Sequence, residues 1–326
     1  MEQKVLVSIQ CLVYNHEPYL RQCLDGFVMQ KTNFAFEAIV HDDVSTDHSA
    51  DIIREYAEKY PSIIKPIYEK ENQYSKTDGS LIRIMNAAVD INAKYIAFCE
   101  GDDYWIDPYK LQKQVDFLES HPDFGMCYTN FNIFYQEYNK MCYSLFTTKP
   151  RRFPSQYSSP ASFIRSNGYV CPPSWLMRRN CMPRDVLPSV DGTFVLFVHF
   201  LCTSRVYMLH DVTAVYRIIK ESASHSADYM HIYNRHRQLL EIKYKLIDIY
   251  NLDEDLKKLC ELDYYKYGLL GFVINNMQTD IKKANEVIVN KTFIEKLILF
   301  MANYIPFSPY LLNCVYNLRR YVYRFL

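Results

Sequence analysis

The chain has 326 residues, 49% of them hydrophobic and 23% charged, with 37 lysines and arginines against 37 aspartates and glutamates. That length suits one large domain with an appendage, and the balanced charge disfavours a nucleic-acid partner, which needs a basic face. Ten cysteines lie scattered without a CxxC pair or a zinc-spaced Cys/His cluster, and eight glycines stand against 29 tyrosines; reduced thiols are expected, and a Gly-rich phosphate loop is not.

The opening MEQKVLVSIQ has only a short apolar stretch that runs on into polar sequence. No signal peptide or spanning helix is expected there, which implies a cytoplasmic protein. Residues 5–13, VLVSIQCLV, are an almost unbroken hydrophobic run and predict a strand covered on both faces. A turn at YNHEP leads into a helix over 19–30, with Leu20, Cys23, Leu24, Phe27 and Val28 at helical spacing. A strand over 36–40 stops at HDDVSTD, a helix over 48–60 follows, and a strand returns at 63–68. Helix 81–92 then leads to a strand over 95–99, which stops abruptly at Glu100, Asp102 and Asp103. This alternation predicts an α/β fold with a mostly parallel sheet flanked by helices.

Past the acids, Asp107 and Pro108 suit a helix start, and a helix over 109–120 precedes a strand over 124–134. Residues 135–157 are irregular and hold Lys149, Arg151 and Arg152, which reads as a loop near an acceptor. Pro172 and Pro173 make 170–179 an edge strand or pocket wall. A helix begins near Asp191 and runs through Leu201, and short strands at 206–209 and 213–218 close the domain. Beyond about Ser226 only helices are expected, with breaks near Asn251, Asp280, Asn290 and residues 306–309. The chain thus divides into residues 1–225 and a helical region, 226–326. Segment 310–326 sets Leu311, Leu312, Val315, Leu318 and Phe325 beside Arg319, Arg320 and Arg324. Such a segment can lie on an anionic membrane, pack on its own domain or join two copies.

Two acidic clusters, Asp42-Asp43 and Glu100/Asp102/Asp103, each end a strand, and strand ends on one edge of a parallel sheet face a common crevice. Adjacent carboxylates repel unless a cation lies beside them, and hard oxygen ligands suit Mg²⁺ or Mn²⁺ bridging to a diphosphate. The other cluster can accept hydrogen bonds from a base or ribose. A solvated acidic turn is the plain alternative, and Asp47 suits a helix cap better than a ligand.

The string VSIQCLVYNHEPYLRQCLDGFVMQ, the HDDVSTD segment, close to a DDxSxD pattern, and EGDDYW followed by DPYKLQKQVDFLE come in this order. Together, over about residues 3–225, they resemble the family 2 glycosyltransferases of the GT-A fold. The resemblance implies that Tyr14 and Asp42 or Asp43 touch the nucleobase and ribose, and that Asp102 and Asp103 bind a divalent metal and the sugar diphosphate. Glu100 stands where the family's string begins with aspartate and is expected to support rather than ligate. An aspartate that opens a helix ahead of TAVYRIIK makes Asp191 the candidate general base, with Asp185 as fallback and a plain N-cap as the competing role. Arg217 would meet phosphate oxygens, His225 would add a metal ligand, and Tyr104, Trp105 and Trp175 would line the sugar pocket. The implied activity is inverting, metal-dependent transfer from a nucleotide-sugar, a UDP-sugar favoured. The acceptor would be a lipid-linked or polysaccharide hydroxyl at the inner face of the cell membrane. A nucleotidyltransferase and a non-catalytic glycan- or partner-binding module are the rivals.

Overall fold

The computed structural model describes residues 4–76, 78–148, 157, 159–166, 168–183, 187–189, 191–219 and 229–304, within two compact units, Met1–Ser226 and Ala227–Leu326.

In the first unit the hydrophobic run becomes strand β1 (Val5–Val13). It pairs in parallel with β2 (Ala35–Asp42) on one side and β4 (Tyr95–Phe98) on the other, and β2 pairs in parallel with β3 (Ile64–Tyr68). Ala38, Ile39 and Val40 are consecutive and therefore cover both faces of β2, yet each is at most 1% exposed. The connections are helices: α1 (Glu17–Val28), α2 (Ser49–Lys59) and α3 (Ser80–Ala88). Helix α1 buries Leu20, Cys23, Leu24 and Phe27, the stripe its spacing predicts.

The other half of the sheet is mixed. Strand β8 (Trp175–Arg178) runs antiparallel to both β4 and β6 (Phe124–Tyr135), β9 (Arg205–Ile218) runs parallel to β6, and the short β5 (Tyr104–Trp105) is antiparallel to β9. A small β7 (Lys140–Cys142) pairs with β6. Helices α4 (Lys110–Ser120), α5 (Leu145–Thr148), α6 (Pro160–Ser166) and α7 (Gly192–Thr203) complete the unit.

Two expectations are corrected here. The proline-containing segment is no edge strand: β8 lies between β4 and β6, because Pro172 and Pro173 sit in a 3₁₀ turn before it and remove no ladder hydrogen bond. The two short closing strands are one strand, β9, whose register against β6 jumps from Thr129↔Leu209 to Asn130↔Val212. His210 and Asp211 form the bulge that the sequence shows as a gap.

Only residues 99–103 join β4 to β5, although β8, β6 and β9 lie between them in hydrogen-bonding order. A flat sheet puts four strand spacings, roughly 19 Å, across that gap, the full reach of so short a segment. The sheet curls, and the acidic turn spans its mouth.

The second unit is helical: α8 (Tyr229–Ile249), α9 (Asp255–Ile274), α10 (Gln278–Val287) and α11 (Phe293–Tyr304). Leu269, Phe272, Val273, Ile281, Ala284 and Ile288 form its core. The break expected near Asp280 falls instead at Asn275–Met277, with Asn276 at φ 55°. Asp280 belongs to the first turn of α10, where a negative charge suits the helix dipole.

Candidate functional site

The loops after β1 and β2 lock together at the carboxyl edge of the sheet. Asn15 has φ 56° and its backbone N–H donates to Ser45 Oγ at 2.9 Å, while its Oδ1 accepts from Thr46 N at 2.7 Å. Asp47 accepts from Glu17 N and from Ser49 N, both at 2.9 Å, and so ties the first turns of α1 and α2. This is the capping role its sequence position suggests. Between them Val44 sits at φ 66°, a conformation that β-branched residues rarely adopt. Tyr14 lies on the rim, 49% exposed.

The acids at the end of β2 have opposite environments. Asp43 accepts from Gln73 N at 2.7 Å through Oδ1 and from Tyr74 N at 3.0 Å through Oδ2, and its carbonyl accepts from Asn72 Nδ2 at 3.2 Å. Its carboxylate is consumed in holding the loop after β3. Asp42 accepts only a long bond from Ser45 N, 3.3 Å, through Oδ2, and its buried Oδ1 has no hydrogen-bond partner.

The turn after β4 repeats the arrangement. Asp103 is 2% exposed, and its Oδ1 accepts from the backbone N–H of Arg217 in β9 at 2.7 Å. Burial and the neighbouring Asp102 hold the Asp103 carboxyl well above the usual carboxylate range. Asp102 Oδ1, also buried, has no partner. Glu100 reaches solvent on one side while protein encloses the rest, and burial, then the charges of Asp102 and Asp191, push its carboxyl up to about 7. The charges of Asp102 and Asp191 thus both act on Glu100.

Asp191 caps α7: its Oδ1 accepts from Phe194 N at 2.9 Å and from Thr193 Oγ1 at 2.8 Å. The cap and a position beside the acidic turn coexist, since its charge is felt at Glu100.

Arg217 is not available to a phosphate as expected. It is 5% exposed, donating through Nε to the Asp102 carbonyl at 2.7 Å and through its two terminal nitrogens to Gln136 Oε1 at 2.5 Å and Gln22 Oε1 at 2.6 Å. Tyr19, Tyr104 and Phe134 surround the guanidinium. It fastens the acidic turn to α1 and β9. Tyr104, Trp105 and Trp175 are likewise core residues, 9%, 2% and 1% exposed, not pocket lining. Trp105 Nε1 donates to the Pro173 carbonyl at 2.8 Å, and the buried Lys110, which burial pushes down to about 8, lies 4.3 Å above its ring. Lys149, Arg151, Arg152, Asp185, His225 and residues 310–326 lie outside the described residues.

His16 is a neighbour that the sequence reading missed. Its Nδ1 is buried without a partner, and a Cβ on Gly101 would stand 2.7 Å from that atom. Burial lowers its pKa, while the charges of Asp102 and Asp47 raise it. The signal was present in YNHEP, a histidine one residue past the turn that faces the acids.

Whether these residues suit a divalent cation can be judged from the donors. Among the described residues no group of three His, Cys, Asp or Glu side chains surrounds a common point. The orphaned Asp102 oxygen beside Glu100 fits an ion that takes one or two protein carboxylates and fills its shell with water and phosphate oxygens, as Mg²⁺ does. The residues fit such an ion.

Residues 8–182 match the sequence profile of glycosyl transferase family 2. The chain belongs to that family. An uncharacterised protein of Mycobacterium tuberculosis is 34% identical to this family 2 chain over 223 residues, 68% of this chain and 61% of that protein. The match thus spans less than two thirds of that relative's length. A putative teichuronic acid biosynthesis glycosyltransferase of Bacillus subtilis, TuaG, is 32% identical over 115 residues, 35% of this chain and 42% of that protein. Among solved structures, Staphylococcus aureus TarS in complex with UDP-GlcNAc superposes with a TM-score of 0.57 at 16% identity, covering 91% of this chain and 79% of that one. At that identity the likeness speaks for the fold, which is of the GT-A type.

Proposed function

We propose that this protein is an inverting glycosyltransferase that moves a sugar from a UDP-sugar to an acceptor hydroxyl in the synthesis of a cell-surface glycan. The observation that carries the reading is the pair of unpartnered buried oxygens, Asp42 Oδ1 and Asp102 Oδ1, at the ends of neighbouring segments of one sheet edge in a family 2 chain. An unpaired buried acceptor costs about 1–3 kcal/mol, and a bound ligand relieves it. Asp42 would accept an N–H of the base, beside the Tyr14 ring. Asp102, supported by Glu100, would hold the cation, whose role when bound is to neutralise charge on the diphosphate leaving group. Of the two acids that the family resemblance offers for the metal, the engaged oxygen of Asp103 favours Asp102.

Asp191 is the proposed base. Its Oδ1 holds the helix cap and fixes the carboxylate, which takes the proton from the acceptor hydroxyl as that oxygen attacks the anomeric carbon in line with the departing diphosphate. The name of the Bacillus relative, which places it in teichuronic acid biosynthesis, supports a cell-surface glycan as product, and the UDP-GlcNAc complex of TarS supports the donor.

Calorimetric titration with UDP, GDP, CDP and dTDP, with and without Mn²⁺, tests the donor site. UDP binding that requires the metal is the expected result. Binding of none of the four would exclude the transferase reading and leave a non-catalytic module on the same fold. Proton NMR of the product's anomeric coupling tests inversion.

A further inference from the structure

The unpartnered nitrogen of His16 lies against a glycine that the backbone does not demand. Gly101 is buried and its φ is not positive, so an L residue could adopt its conformation. Space is what excludes one: a Cβ there would stand 2.7 Å from His16 Nδ1, 3.1 Å from Val13 Cγ2 and 3.3 Å from Leu20 Cδ1. The first is a clash and the other two are tight contacts. The glycine thus serves the close approach of the imidazole. Leaving Nδ1 buried without a partner costs free energy, so the protein holds this ring in place for its shape rather than for a hydrogen bond.

Both sides of the contact are anchored. The His16 backbone N–H donates to Ser49 Oγ in α2 at 3.0 Å, and its carbonyl accepts from Tyr19 N and Leu20 N in α1, both at 2.9 Å. Asn15, just before it, is bound to Ser45 and Thr46 in the loop that follows Asp42 and Asp43. Across the contact, Gly101 N donates to the Leu12 carbonyl at 2.9 Å, and the carbonyl of Asp102, the next residue, accepts from Arg217 Nε at 2.7 Å. The segment that carries the free oxygen of Asp102 is therefore gripped at both ends, Gly101 by β1 and His16, Asp102 by Arg217.

We propose that the His16–Gly101 contact is a joint between the nucleoside end and the cation end of the donor site, with His16 as a positioning residue for Asp102. This rests on the donor-site reading given above. Tyr14 and His16 belong to one locked loop, so seating that loop on a nucleotide presses the imidazole on the acidic turn and fixes Asp102. Nucleotide and divalent cation then tighten each other's binding by the same factor.

Exchange of size across the contact tests the joint. In calorimetry with UDP and Mn²⁺, Gly101→Ala and His16→Ala should each lower the metal-dependent affinity roughly ten- to a hundredfold, the usual cost of losing a group that orients a metal ligand. The double variant should recover most of that loss, because His16→Ala vacates the space that the new methyl group needs. His16→Asn, whose side-chain amide reaches the place of Nδ1, should stay near the parent. UMP affinity without metal, read by NMR titration, should match the parent in all four variants, whereas a loop merely loosened would lose it. Losses that add in the double variant, single variants that match the parent, or UMP affinity that falls in step overturn the joint and leave the donor site standing. If Gly101→Ala does not fold, equal affinity in His16→Ala and His16→Asn overturns it. A parent chain that binds no UDP overturns the donor-site reading and the joint together.

Discussion

The two acidic pairs, Asp42-Asp43 and Asp102-Asp103, divide their work in the same way and differ in what surrounds them. In each, the second acid is spent on the fold: Asp43 holds the loop after β3, and Asp103 holds the backbone of β9. In each, the first keeps a buried oxygen with no partner. The difference lies in charge at the second pair, where burial and the charges of Asp102 and Asp191 drive Glu100 towards its neutral form. The first pair suits an uncharged donor such as a base N–H, and the second suits a cation.

Breaking the second pair gives the largest effect. Asp102→Asn should abolish metal-dependent UDP binding in calorimetry and lower transfer by roughly a thousandfold. Asp103→Asn, by contrast, should keep UDP binding within a few-fold of the parent, because an amide oxygen can still accept from the Arg217 backbone N–H. Asp103→Ala should instead destabilise the fold by about 1–3 kcal/mol in urea unfolding. Equal loss of metal binding in Asp102→Asn and Asp103→Asn would end the proposed division of labour.

Asp191→Asn comes next. Its amide oxygen can still cap α7, so nucleotide affinity should hold while turnover drops by roughly a hundred- to ten-thousandfold; near-normal turnover would remove Asp191 from the chemistry. For the first pair, Asp42→Asn should weaken UDP binding by roughly ten- to a hundredfold, the worth of one hydrogen bond to a charged acceptor, and alter the preference among bases. The smallest effect concerns Glu100. Its folded pKa, about 7, lies above the ordinary 4.5, so the folded state holds the proton more tightly than the unfolded state. The stability linked to that proton is present below the ordinary value and is lost as pH rises to about 7. Without metal, Glu100→Gln should therefore raise Tm by a few degrees above neutrality, and the difference should vanish in mild acid.

Much of this was legible in the chain. Uninterrupted hydrophobicity revealed β1 as a doubly covered strand, and the acids marked where β2 and β4 end. What stayed hidden depends on partners far away in sequence. Arg217 looks like a phosphate ligand until Gln22, 195 residues away, and Gln136, 81 residues away, are seen to hold it. Trp105 and Trp175 look like sugar platforms, but the turn at Pro173 draws the Trp105 indole inward and both rings are buried. Nothing local tells which oxygen of an acidic pair will be left without a donor, because Gln73, Tyr74 and Arg217 supply those donors by tertiary placement. The interior position of β8 was masked by prolines that proved to lie just outside the strand.

The turn that bridges the curled sheet also imposes an order on assembly. Tyr104 and Trp105 pair with Val215 and Ala214, more than a hundred residues later in the chain. Asp103 likewise waits for Arg217. During synthesis the turn can meet β1 early, where Gly101 N donates to the Leu12 carbonyl at 2.9 Å, but its contacts with β9 wait for a segment more than a hundred residues later, and distant pairings of this kind are slow to close. The part of the acidic turn that β9 holds, Asp103 through Tyr104 and Trp105, is therefore among the last pieces of the first unit to be fixed.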